Sequence, residues 1–480
     1  MVRQIPAAEL KALVESGEKV LDPASKMGEF AIAIVRRCAE PDIGLAPDAL
    51  KESILSIPMC GVTYEFTRKV YELLGLDPKC IAQPENLTTY DLLKIREEGS
   101  PRPPLDFAKI KRLLTQNKDF DTISIGDDLA GEDDTMCNKI GLVISNPPYQ
   151  ELDGGAQVSA IPIYPMYVGV GTEVTERYSS FIMPARWYAG GKGLDDFRDS
   201  MLSDSHIAEF HDFPMTEDCF PGVNVRGGLC YYLRDNQHDG TTTATQYYSH
   251  LDSKNCTVSE RNLKVRDADI MIRYDAGITI LDKVFATETV ETMVPHVSAA
   301  KAFGLRTFFI NDKRFHGDKT GLLKPVKCYA RGGTVGYVEE SDVLSHKDWI
   351  SRWKVYIPEA NNIGTELNDD NQNAMVGAPK TICTETYLVV GAELGLTKES
   401  SKNLVKYLKT RFSRFLVSLA KSSQHGTSKT FRYVPLQDFT SSSDIDWTRP
   451  LPEIDRQLYD KYALTAPERE FIESMIKPMG

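Results

Sequence analysis

Residues 142–150 read LVISNPPYQ, and this stretch limits the possible fold more than any other. Val143 and Ile144 are strand formers, and a short apolar run bounded by breakers suits a strand covered on both faces. Pro147 and Pro148 then fix φ twice in succession and remove two backbone donors. The chain must leave the sheet at that point, with the carbonyls of Asn146 and Pro147 turned toward whatever lies beyond the strand end. In an open α/β sheet, ligands bind at the carboxyl ends of strands. The pattern therefore predicts such a sheet, with a rigid polar and aromatic turn at its functional edge.

The rest of the chain agrees with an α/β reading. KVLDP, SKMGEF and FAIAIVRRC at 19–38 read as strand, loop and helix, and PMCGVTYEFTRKVYELLG at 58–75 reads as a strand into GVTYE followed by a helix. IGLVIS, SSFIMP, AEFHDF and GGLCYYL are further strands, so a doubly wound, mostly parallel sheet is expected to about residue 235. A polar stretch at about 96–138, containing GEDDT and one amphipathic helix (DFAKIKRLL), reads as a surface insertion. The expected organisation is one domain over 1–240, a linker at 241–256, and a mixed α/β domain over 257–480. That second domain contains one long amphipathic helix at 398–420.

Composition excludes several classes. The 480 residues are 41% hydrophobic and 26% charged, as in ordinary globular proteins. No apolar run approaches the roughly 18 residues needed to span a bilayer, and the N-terminus lacks the apolar core of a signal peptide. Nine cysteines at irregular spacing, without a CxxC pair, point to reduced thiols in a cytoplasm and to no metal site. The net charge is −12, but eight Lys or Arg and no acid lie between Ser400 and Gln437. Another eight lie between Lys301 and Arg331, so basic surface is expected in the C-terminal half, where a polyanion would bind.

Three features before NPPY suggest a nucleoside-type ligand. The loop Asp22-Pro23-Ala24-Ser25-Lys26-Met27-Gly28-Glu29-Phe30 joins a strand to a helix, where helix amides approach a ligand. It is neither a phosphate loop nor a good dinucleotide fingerprint. Glu65, at the end of the second strand, is placed to accept both hydroxyls of a ribose. Asp91, in TTYDLL, is expected to end a third strand and to accept a hydrogen bond from an adenine amino group.

The order DPASKMGEF, GVTYEF, TTYDLL, LVISNPPY resembles the amino-group DNA methyltransferases that use S-adenosylmethionine. More narrowly, it is similar to the adenine-N6 methylases of the Eco57I-like restriction-modification family. SNPPYQELDGGAQVSAIPIY, FIMPARWYAGGKGLDDFRDSML, FPGVNVRGGLCYYL, FGLRT, CTETYLVVG and SSQHGTSKTFRYVPLQDF extend the likeness over nearly the whole chain.

The resemblance implies a Rossmann-like methyltransferase sheet followed by a target-recognition domain. It implies that Asp22, Pro23, Ala24, Gly28 and Phe30 shape the pocket for the methionine part of S-adenosylmethionine, with Glu65 at its ribose and Asp91 at its adenine. Asn146 and Pro147, within Asn146-Pro147-Pro148-Tyr149, would accept the two hydrogens of a target adenine amino group. Tyr149 would stack on that base and Phe220 would pack against it after flipping from double-stranded DNA. Related enzymes carry a further segment before the cofactor loop, so a companion subunit, N-terminal or restriction, is an expected partner.

For DNA contact the expected surface is the helix at 398–420 and the segment after it, facing the catalytic sheet. Lys421, Lys429 and Arg432 are its phosphate contacts, and Gln424 and His425 its base readers. Arg306, in the other basic stretch, is a further candidate. Two alternatives stay open: a noncatalytic DNA-binding specificity subunit, and an amino-group methylase acting on RNA or protein.

Overall fold

The computed structural model describes the chain except residues 99–102, 118, 127–136, 152–160, 192, 226, 248–255, 266–267, 287–288, 365–370, 422–423 and 480. GEDDT and the block following Gln150 and Glu151 lie largely or wholly outside the described residues. The chain forms two compact units, Met1–Lys264 and Val265–Gly480.

The first unit is built on an eight-stranded sheet. In chain order its strands are β1 (Lys19–Ser25), β2 (Ile54–Pro58), β3 (Ile140–Ser145), β4 (Tyr178–Pro184), β5 (Ile207–Phe213), β6 (Leu229–Asp235), β7 (Thr242–Tyr247) and β8 (Cys256–Arg261). Their spatial order is β2-β1-β3-β4-β6-β5-β7-β8. β2, β1, β3 and β4 are mutually parallel, and β6 enters antiparallel between β4 and β5. Every residue of β3 is buried, as a strand covered on both faces requires. The helices are α1 (Ala7–Glu15), α2 (Glu29–Cys38), α3 (Gly61–Leu74), α4 (Phe107–Gln116), α5 (Tyr164–Val174) and α6 (Asp195–Ser203). Strand order reverses between β1 and β3, and in such sheets that reversal opens a crevice at the carboxyl ends.

Several local expectations give way to the structure. GVTYE is not strand: β2 stops at Pro58, and Cys60 with Thr63 forms a capping box that starts α3 at Gly61. TTYDLL is not a strand end: Asp91–Lys94 is a 3₁₀ turn, and only an isolated parallel bridge, Ile81 to Ser56, extends the sheet beyond β2. The amphipathic helix at 107–116 is no loose surface element, because Ile110, Leu113 and Leu114 are buried and α4 packs on α5. Where a linker was expected at 241–256, Thr242–Tyr247 is a strand paired with β5 and β8. The sheet therefore runs on almost to the division at Lys264.

The second unit is mixed α/β. Helix α7 (Asp275–Val284) precedes β9 (Pro325–Tyr329), β10 (Val335–Glu339), β11 (Lys354–Pro358), β12 (Met375–Gly377), β13 (Thr381–Cys383) and β14 (Tyr387–Val390). These form two small sheets, β10-β9-β13 and β12-β11-β14, around Phe303, Val326, Val338, Tyr356, Ile382 and Val389. Helices α8 (Lys398–Lys409), α9 (Arg411–Ala420), α10 (Leu451–Lys461) and α11 (Ala466–Met475) complete it. The single long helix expected at 398–420 is two helices. Thr410 takes extended ψ and caps α9 through Ser413 N, while the buried Asp455 carboxylate accepts from the amides of Arg411 and Phe412. These acceptors satisfy the first amides of α9, which have no carbonyl partner within the new helix.

Candidate functional site

The carboxyl end of β3 meets the middle of β1 through a side-chain bond. Ser145 Oγ donates to Asp22 Oδ1 at 2.8 Å, and Ala24 N donates to the same oxygen at 3.1 Å. Asp22 is only 3% exposed, and burial pushes its carboxyl up to about 7 against those two hydrogen bonds. The loop expected from Asp22 is shorter than the sequence suggested. β1 continues through Pro23 and Ala24 to Ser25, leaving Lys26–Gly28 before α2. Gly28 has φ +71°, and a Cβ there would meet Val70 Cγ1 at 3.0 Å, so its small size lets α2 start close against α3.

Immediately after β3, the NPPY turn carries an unanswered acceptor. Asn146 Oδ1 is buried and has no hydrogen-bond partner among the described residues. No backbone amide donates to the Asn146 or Pro147 carbonyls among the described residues either, as two successive prolines lead one to expect. Buried acceptors are normally satisfied, so an orphan at a strand end calls for an explanation. Asn146 itself lines a cavity of about 750 Å³ together with Phe30, Ile182, Phe220 and Tyr231. Pro147 and Pro148 are buried, and Tyr149 is half-buried, its phenol pushed upward by that burial. The structure thus brings Phe30, Asn146 and Phe220 into one cavity.

Asp91 reaches the same edge of the sheet by another route. Thr89 N donates to Pro58 O at 2.9 Å and Thr89 Oγ1 to Ile57 O at 3.2 Å, which ties this segment to the end of β2. The Asp91 carboxylate accepts from Thr88 N, Thr88 Oγ1 and Lys94 Nζ. Burial alone would raise its pKa, but these bonds outweigh it and hold the group below the usual carboxylate range.

Glu65 does not belong to this set. It lies on α3, its side chain 62% exposed and paired with Arg68 at 2.8 Å. The residue that follows β2 at the helix start is Cys60, which sequence reasoning passed over. Its thiol is exposed, and hydrogen bonds from the Thr63 and Val62 amides, Thr63 first, lower its pKa. Residues Met1–Gln4 were also missed; they line the cavity beside Asn146 and Phe220.

The expected DNA contacts in the second unit separate sharply. Lys421 is 4% exposed and donates to Asn361 O at 2.6 Å and Ile363 O at 3.2 Å, and burial pushes its pKa down to about 7. It holds a loop, not a phosphate. Arg414 is likewise buried, with Nε on the carbonyls of Lys409 and Thr410. Arg432 is ion-paired with Asp269, His425 Nδ1 is hydrogen-bonded to the Glu359 carboxylate at 2.8 Å, and Gln424 Nε2 donates to Asn362 Oδ1. Lys429 and Arg306 remain exposed. Among the described residues no group of His, Cys, Asp and Glu could hold a metal ion, and no helix is long and apolar enough to cross a membrane.

Comparison with known proteins gives a family match over part of the chain. Residues 82–220 match the Eco57I restriction-modification methylase family, a segment that contains Asp91, NPPY and Phe220. An uncharacterized adenine-specific methylase of Mycoplasma pneumoniae is 30% identical over 131 residues, 26% of this chain and 31% of that protein. The chain thus matches about a third of that relative's length. Among solved structures, the Type IIL restriction-modification enzyme MmeI in complex with DNA aligns over 98% of this chain and 74% of its own, at 10% identity and a TM-score of 0.46. The type IIG restriction endonuclease BpuSI aligns over 96% of this chain and 60% of its own, at 11% identity and a TM-score of 0.38.

Proposed function

We propose, taking the family match over residues 82–220 as premise, that this chain is a site-specific DNA methyltransferase acting on the N6 amino group of adenine. It would serve as the modification component of a restriction-modification system. The observation that carries this reading is the buried Oδ1 of Asn146, unpartnered among the described residues, on a residue that lines one cavity with Phe220.

The chain's residues fit S-adenosylmethionine as methyl donor. Asp22 and the Lys26–Gly28 turn would face its methionine part and the Asp91 carboxylate its adenine amino group. The ribose would lie at the end of β2, where Cys60 stands in place of a carboxylate. When bound, S-adenosylmethionine supplies an electrophilic methyl group on a sulfonium centre.

The remaining work falls to NPPY. An adenine amine is a weak nucleophile because its lone pair is delocalised into the ring. Asn146 Oδ1 and Pro147 O would accept its two hydrogens, favouring a more tetrahedral nitrogen and stabilising the positive charge that grows during transfer. Two adjacent prolines hold both acceptors still, which aligns the nitrogen for in-line attack. The nitrogen becomes acidic once alkylated, so its proton can leave to solvent without a strong base. Tyr149 and Phe220 would stack on the flipped base, offsetting part of an unstacking cost of about a few kcal/mol.

A second reading, a noncatalytic DNA-binding subunit, is favoured by one observation: no carboxylate follows β2 before α3. Methylation-sensitive sequencing of DNA from cells expressing the protein separates the two. Methyltransferase activity predicts N6-methyladenine at one short recurrent sequence, whereas the noncatalytic reading predicts unmodified DNA.

A further inference from the structure

The second unit contains a basic face whose cations are not used inside the protein. Hairpin β9–β10 turns through Arg331–Thr334, and every residue of that tip is exposed. Gly332 and Gly333 have φ of +66° and +76°, and nothing lies within 4 Å of where their Cβ atoms would be. The glycines serve the tight turn, and they leave a slim tip open to close approach.

Arg306 is brought to the same end of the sheet. β9 and β13 are parallel, so both finish there, and Thr384 N donates to Tyr329 O at 3.0 Å. Glu385 N donates to Leu305 O at 2.9 Å, which sets Arg306 beside the strand ends. One oxygen of the Glu385 carboxylate, Oε1, accepts from Thr307 N and Thr307 Oγ1, at 2.8 and 3.0 Å. Phe308, next in the chain, is 66% exposed. The side chains of Arg306 and Arg331 form no ion pair among the described residues, whereas Arg432 is paired with Asp269 and the buried Lys421 and Arg414 donate to backbone carbonyls. The acid nearest the hairpin's other end, Glu339, is taken up by the amides of Leu323 and Lys324.

We infer that Arg306, Phe308 and the Arg331–Thr334 tip form a face that grips duplex DNA, which rests on and deepens the DNA-methyltransferase reading. Each arginine neutralises one backbone phosphate, and the glycine tip lets Arg331 come close to the groove. Phe308 covers the sugars between them. A polyanion is the occupant that suits two exposed guanidinium groups without an ion pair among the described residues best.

The test uses the full chain and a fluorescent mixed-sequence duplex of about 30 base pairs, titrated from about 50 to 200 mM salt. The double variant Arg306→Ala/Arg331→Ala is compared with wild type and with Arg449→Ala, whose arginine is paired with Asp446. Because both arginines are exposed and form no ion pair among the described residues, the double variant should melt as wild type does. Its salt slope should fall by about two units, with Arg449→Ala unchanged. Wild-type binding with an unaltered slope in the double variant would overturn this inference and leave the methyltransferase reading standing. A wild-type protein that bound no duplex at any salt would overturn both.

Discussion

Ser145 Oγ donates a 2.8 Å hydrogen bond to Asp22 Oδ1, locking the end of β3 to the middle of β1 one residue before the orphaned acceptor of Asn146. The buried carboxyl therefore does two things. It fixes the strand from which NPPY departs, and it makes that fixation sensitive to pH.

The sign of the pH effect follows from the raised pKa. Native Asp22 titrates at about 7, above the ordinary carboxyl value of 3.8. Between these values the native state holds a proton that the unfolded chain has lost, so Asp22's contribution to stability is full below about pH 4 and declines through pH 7. Asp455, pushed by burial up to about 6, acts in the same direction. Urea melts at pH 5 and pH 8 should show a smaller loss of stability for Asp22→Asn than for wild type. Equal losses would mean that Asp22 is not protonated in the native state.

The cofactor contact should follow the structure and not the spacing of acids in the sequence. Glu65→Ala removes an exposed ion pair on α3 and should leave S-adenosylmethionine affinity within about 0.5 kcal/mol of wild type. Asp91→Ala should weaken it by about 1.5–3 kcal/mol, the range for a hydrogen bond to a charged group. Calorimetry that found the reverse order would return the nucleoside contact to Glu65.

Cys60 offers a chemical probe of the same edge. Its exposed, low-pKa thiol should react with iodoacetamide well before the buried Cys38, Cys80, Cys328 and Cys383. S-adenosylhomocysteine should slow Cys60 alkylation while leaving the exposed Cys137 and Cys256 unaffected. Peptide mass spectrometry resolves each site, and unprotected Cys60 would move the ribose away from the end of β2.

Lys421 should behave as a structural residue. Lys421→Ala strips the donor from two backbone carbonyls, at a cost of about 1–3 kcal/mol each if they stay buried and unpaired. The variant should melt earlier yet keep the wild-type salt dependence of DNA binding at temperatures where it is folded. A reduced slope would restore Lys421 as a phosphate contact.

What the sequence made legible, and what it hid, divide along physical lines. The strand before NPPY was readable because an apolar run stopped by two prolines allows few other conformations. GVTYE misled because Val62, Thr63 and Tyr64 favour strands locally, whereas the Cys60–Thr63 capping box commits them to a helix. The break at Thr410 was invisible because the apolar periodicity of α8 continues into α9, and the acceptor that caps α9, Asp455, lies far along the chain. Lys421 and Arg414 looked like solvated cations because Lys421 meets the carbonyls of Asn361 and Ile363, and Arg414 that of Lys477, only in the folded chain. Arg306 and Arg331 share that basic composition, and only the fold shows that they form no ion pair among the described residues.

The central claim is that Asn146 holds the reacting amine. The most direct measurement is mass spectrometry of nucleosides from adenine-unmethylated bacterial genomic DNA incubated with purified protein and isotopically labelled S-adenosylmethionine. Wild type should produce labelled N6-methyladenine. Asn146→Ala should bind the cofactor normally yet form product roughly 100- to 1,000-fold more slowly, as expected when one preorganised contact worth about 3–4 kcal/mol is lost. Labelled N6-methyladenine formed by Asn146→Ala at the wild-type rate, or no labelled adenine from the wild type, would contradict the account.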